Sequence, residues 1–130
     1  MGNGFAFLRF ALVGSLGFAV DGGVMILLMK NGFDVVPSRL MSFLTAVTAT
    51  WWFNRTWTFP QPKRFDGRQE YVLYLLTQIV GAAVNLGVFF LVLGVFPAAR
   101  QHPLLPLAVG AVPALAFNFG ASRYLVFTRS

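Results

Sequence analysis

Two long stretches without charge govern what this chain can become. Phe10 to Met29 is a run of 20 residues whose only ionisable member is Asp21, and Tyr71 to Ala99 is a run of 29 with no charged side chain. A helix needs about 20 apolar residues to cross a bilayer, and each run supplies them. Each is followed by a second apolar stretch that ends in Asn or Ser, then arginine, then an aromatic tail. The first half closes as Asn54-Arg55-Thr56-Trp57-Thr58-Phe59 and the second as Ser122-Arg123-Tyr124-Leu125-Val126-Phe127. The pattern predicts an all-α membrane protein of four transmembrane helices, a tandem repeat of two-helix hairpins.

Composition supports the same class. Of 130 residues, 57% are hydrophobic and 11% charged, with a mean hydropathy of +0.70. Soluble domains carry about 25% charged residues, so a water-facing surface cannot be assembled here. There is no cysteine, and one histidine with four carboxylates makes a metal site a poor expectation. No cofactor is expected either. The net charge of +6 reads first as a topology signal. The arginines flank apolar runs and form no solvent-facing patch, so nucleic acid is not an expected partner. Asp21 interrupts the first run and no small-residue cleavage site follows it, so a cleaved leader is not expected.

The expected helices are about Phe7 to Met29, Pro37 to Asn54, Glu70 to Val95 and Leu104 to Ser122, with Pro60 to Arg68 as a loop. Pro37 suits a first helical turn, and Pro113 should kink the last helix. Short connections make neighbouring helices antiparallel, and with four spans both termini share a side. That side holds Arg9, Arg55, Lys63, Arg64, Arg68, Arg123 and Arg129; the other holds Lys30, Arg39 and Arg100. Seven against three places both termini in the cytoplasm. His102 falls in an outer loop, where it is expected to be solvated.

The halves align residue on residue. A shift of 64 puts Gly17 on Gly81, Asp21 on Asn85 and Gly23 on Gly87. For the second helices a shift of 68 puts Thr50 on Asn118, Asn54 on Ser122, Arg55 on Arg123 and Phe59 on Phe127. Repeat 1 covers about 7–59 and repeat 2 about 71–127. Two-span copies share an orientation, and such repeats often place a substrate on their seam.

Three groups of residues could carry function. Asp21 lies inside the first span, where an ionised carboxylate costs about 2.5–3.5 kcal/mol on insertion scales and needs a partner. Arg39 lies within roughly 4 Å of it in depth, counting about 1.5 Å per residue. The pair reads either as a structural link between helices 1 and 2 or as part of a site. Arg55 and Arg123 lie at the cytoplasmic helix ends and read as interfacial anchors, beside the belt aromatics Trp57, Tyr124 and Phe127. Anchoring leaves unexplained why Asn54 or Ser122 precedes each arginine, with Thr50 or Asn118 four residues earlier on the same face. Guanidinium forks beside amides and hydroxyls suit a phosphate-bearing headgroup, with Arg55 and Arg123 as a clamp formed by the two repeats. The third group, Gly14, Gly17, Gly81 and Gly87, reads as helix packing. Trp51 and Trp52 read as lipid-facing anchors. No nucleophile–base pair, carboxylate pair or glycine-rich phosphate loop can be assembled, so an enzyme is not expected.

The segments FLRFALVGSLGFAVDGGVMILL, WWFNRTWTF and FNFGASRYLVF resemble the GtrA-like family of small four-helix membrane proteins. The resemblance covers about 7–127, which makes residues 1–130 a single GtrA-like transmembrane domain. It implies translocation of polyprenyl-phosphate, or a sugar linked to it, across the bacterial inner (plasma) membrane for cell-surface polysaccharide glycosylation. It also implies a membrane glycosyltransferase as a partner. By position, Asp21, Asn54, Arg55, Trp57, Asn118 and Arg123 fall on the family's motif residues. Ser122 and Leu125 depart from it, so the halves need not contribute equally.

A flippase of this kind is the leading expectation. A non-transporting adaptor for a glycosyltransferase is the alternative, and a small proton-coupled exporter using Asp21 a second. Four short helices enclose little volume, so a homo-oligomer is expected.

Overall fold

The computed structural model describes residues 3–101 and 104–128. The fold is all-α and of membrane type, with α1 Asn3–Lys30, α2 Val35–Phe53, α3 Gly67–Val95 and α4 Leu104–Ala121. The chain divides into two compact units, one reaching to Pro62 and the other running from Lys63 to Thr128.

α1 and α3 are each long and apolar enough to cross a membrane. Burial distinguishes them from core helices of a soluble protein. Only 11% and 6% of their most apolar windows are buried, so Leu12, Phe18, Leu86 and Phe90 face outward. An apolar exterior of this extent belongs in lipid.

Unit 1 is the hairpin of α1 and α2. α1 ends in a Schellman motif: Gly32 adopts φ 93°, Gly32 N–H donates to Met29 O at 3.2 Å and Phe33 N–H to Leu28 O at 3.1 Å. The helix therefore runs to Lys30, slightly beyond the expected end. α2 begins at Val35, two residues early, with Pro37 inside its first turn where no N–H is required. The buried stripes are Ala6, Phe10, Val13 and Gly17 on α1, and Ser38, Ser42, Ala46, Val47 and Thr50 on α2. Small residues at i, i+4 spacing let backbones come close, which is how helices gain packing energy where lipid is as apolar as the interface.

Unit 2 is the hairpin of α3 and α4. α3 starts at Gly67 because Asp66 caps it, accepting from the Gln69 N–H at 2.9 Å, so the loop ends earlier than expected. Its buried stripe is Glu70, Tyr74, Thr77 and Gly81, each 64 residues after a buried position of α1. On α4 the buried positions include Ala114, Ala121 and, past the helix end, Ser122, Val126 and Phe127. Within this unit the loop is tied to the tail, with Arg64 N–H donating to Thr128 O at 2.8 Å. Pro113 lies inside α4, whose four-residue ladder loses a donor there.

Candidate functional site

Both second helices end in the same irregularity. Asn54–Thr58 and Ser122–Val126 are π turns, in which the backbone closes five residues apart instead of four. Phe59 N–H donates to Asn54 O at 2.8 Å, and Phe127 N–H to Ser122 O at 2.7 Å. Such turns are rare and frequent at functional sites, because they re-aim side chains. Here they carry Phe59 and Phe127 into the interior of their units, at 1% and 0% exposure. Phe59 lies 6.5 Å from the Phe10 ring in unit 1, and Phe127 lies 5.6 Å from the Tyr74 ring in unit 2.

The two arginines sit at the second position of these turns. Arg55 is partly exposed, its guanidinium 5.8 Å from the Trp51 ring centre. Arg123 is also partly exposed and lies 5.7 Å from the Tyr124 ring. An aromatic face holds a guanidinium by cation–π attraction, and the planar guanidinium fork matches phosphate oxygens.

Their polar neighbours are placed differently from the sequence expectation. Asn54 and Ser122, read as substrate-facing, are 1% and 0% exposed and lie inside their units. The Asn54 amide oxygen accepts from the Thr58 hydroxyl at 2.8 Å, so this pair braces the turn. In a chain apolar on every side, sequence contrast does not mark which helix face packs inward. Thr50 is 7% exposed and presses on Gly17, while Asn118 presses on Gly81, and a Cβ on either glycine would collide with that partner. Gly14 and Gly87 have open space where a Cβ would go, so close packing belongs to only two of the four glycines.

Asp21 and Arg39 are brought together: Arg39 Nη1 donates to Asp21 Oδ2 at 2.6 Å. The Arg39 side chain is 56% exposed and that of Asp21 18%, so the pair lies at the edge of unit 1. Asn85, 64 residues after Asp21, is partly buried on α3.

Sequence reasoning treated Arg9 only as a topology signal. The structure sets its guanidinium 5.0 Å from the Trp57 ring centre, with Nη1 donating to Trp57 O at 3.0 Å. The 48-residue separation hides this contact. The residues 64 after Arg9 and 68 after Trp57 are Leu73 and Leu125, two leucines that cannot form such a latch.

Trp52 is 55% exposed, as a lipid-facing residue would be, whereas Trp51 is only partly exposed and lies beneath Arg55. Among the described residues no three His, Asp or Glu side chains gather as a metal site would require. His102 and Arg129 lie outside the described residues.

A family model described as the GtrA/DPMS transmembrane domain matches residues 9–127. A relative described as the uncharacterized membrane protein YngA of Bacillus subtilis (strain 168) is 28% identical over 119 residues, covering 92% of this chain and 77% of the relative.

Proposed function

Because this chain belongs to the GtrA/DPMS transmembrane family, we propose that it translocates polyprenyl-phosphate, or a sugar linked to it, across the bacterial plasma membrane. Family membership supports a part in handling glycosyl lipids in the membrane. The single observation that carries the finer reading is the pair of π turns, each presenting a partly exposed arginine on an aromatic face beside an outward apolar helix. Such an element suits a ligand that is anionic at one end and hydrocarbon at the other.

In this reading the two units are tandem copies of one hairpin, all four helices cross the membrane, and both termini are cytoplasmic. Arg55 in one unit and Arg123 in the other are phosphate-binding residues, each at its own turn; Trp57 stands at the interface, and Asn54, Ser122 and Asn118 hold the geometry within their own units. Asp21 and Arg39 tie α1 to α2 through their ion pair. The ion pair weighs against a proton-coupled exporter, which needs a carboxylate that exchanges its proton. The role is non-enzymatic.

Reconstitution in liposomes decides it. A fluorescent polyprenyl-phosphate sugar should exchange between leaflets at a rate that rises with protein and falls when Arg55 and Arg123 are both glutamine. Leaflet exchange no faster than in empty liposomes, together with co-purification of a glycosyltransferase, would establish the adaptor role instead.

A further inference from the structure

Unit 1 carries an open groove of about 410 Å³ lined by Leu12, Val13, Leu16, Phe53, Thr56 and Trp57. Five of the six are apolar, and the size falls among ordinary ligand clefts. A charge stands beside it. Trp57, which lines the groove, is also the residue that holds Arg9 through its ring and its carbonyl. Arg9 stands on α1 immediately before Leu12, Val13 and Leu16, and positions 9, 12, 13 and 16 share one helix face. A guanidinium has five N–H donors, of which the Trp57 carbonyl takes one, and the rest can bind an anion.

Resting on the function proposed above, we infer that this groove seats the first isoprene units of the polyprenyl-phosphate, with Arg9 as a further phosphate-binding residue. The occupant is fixed by charge complementarity: a cation stands against Trp57, one of the side chains that line an open apolar groove. From Leu12 to Leu16 the helix rises only about 6 Å, so the groove holds the phosphate-proximal end and the remaining chain lies in lipid. The equivalents of Arg9, Leu16 and Trp57 in unit 2 are Leu73, Val80 and Leu125. Unit 2 therefore lacks the cation and the tryptophan, and the isoprene groove belongs to the first hairpin.

The test is equilibrium binding of farnesyl phosphate, farnesol and dodecyl phosphate to the full chain in phosphatidylcholine nanodiscs. Leu16→Trp fills the groove, and Leu12→Trp does so from the neighbouring position; Val80→Trp makes the matching change in unit 2. All three sites are exposed, so folding is retained, which circular dichroism checks. Both groove variants should weaken farnesyl phosphate at least about tenfold, and Val80→Trp should leave it unchanged. Arg9→Gln should weaken farnesyl phosphate and leave farnesol unchanged. Equal binding by groove variants and wild type, or equal loss in Val80→Trp, overturns the inference while leaving the transport reading intact. Dodecyl phosphate bound as tightly as farnesyl phosphate overturns the isoprenoid occupant. No binding of farnesyl phosphate by wild type, with leaflet exchange still measurable, also overturns the groove; loss of both sinks the two readings together.

Discussion

Gly81 on α3 and Asn118 on α4 meet so closely that the glycine's missing Cβ is the space the Asn118 amide occupies. Thr50 fills the matching space over Gly17 in the other hairpin, so the same contact is made by a hydroxyl-bearing side chain in one half and an amide in the other.

Gly81→Ala should therefore destabilise the protein by about 1–3 kcal/mol, the usual cost of overpacking. Asn118→Ala should remove most of that penalty in the double variant, giving a clear interaction energy in a double-mutant cycle. Thermal unfolding in detergent measures both. Gly14→Ala, made where the space is open, should change little.

The brace inside the first π turn gives a second test. Thr58→Val removes the hydroxyl that donates to Asn54 and should cost about 1 kcal/mol or more, since a buried acceptor loses a donor. Unit 2 has Ser122 and Val126 at these positions. Importing both, as Asn54→Ser with Thr58→Val, should recover stability relative to Thr58→Val alone, and urea or thermal denaturation would register the difference.

How far the sequence carried can be seen at particular residues. The helices follow from uninterrupted apolar runs, and Asp21 opposite Arg39 from counting rise along two antiparallel helices. The π turns do not follow. Hydrophobic periodicity distinguishes an amphipathic face from its opposite, and at Trp51–Phe59 five aromatic side chains are interspersed with four polar ones without a helical period. For the same reason Asn54 and Ser122 read as ligand-facing although they are buried. Arg9 on Trp57 is a contact between sequence-distant segments, which residue spacing does not encode.

Asp21 and Arg39 should behave as a coupled pair. Asp21→Asn and Arg39→Gln should each lower stability, and the double variant should fall short of their sum by about 0.5 kcal/mol or more. Simple additivity in a detergent-based unfolding series would mean that the 2.6 Å contact is not made in the membrane.

Arg55 offers a test of fork against point charge. Arg55→Lys keeps the charge and loses the planar pair of donors, so affinity for farnesyl phosphate should fall while membrane insertion is unchanged. An interfacial anchor would accept lysine without loss.

Topology is checked by labelling. A cysteine at Gln101 should react with an impermeant maleimide from outside intact cells, and a cysteine at Gln61 should react only after the membrane is opened. The reverse pattern would invert the placement of both termini.

The π turns also determine where the gene can change length. Five residues wound at the wider pitch lag an α-helix by about a quarter turn, and that lag brings Phe59 and Phe127 inward. From Thr50 to Phe59 and from Asn118 to Phe127 the spacing is identical, yet the offset between halves grows from 64 to 68 somewhere before α4 ends. The two hairpins thus differ by four residues at their bends and by none across a turn. A single-codon insertion or deletion is tolerable at the bend, whereas inside either turn it would rotate the aromatic plug into lipid. The arithmetic of the chain is held more strictly there than its spelling.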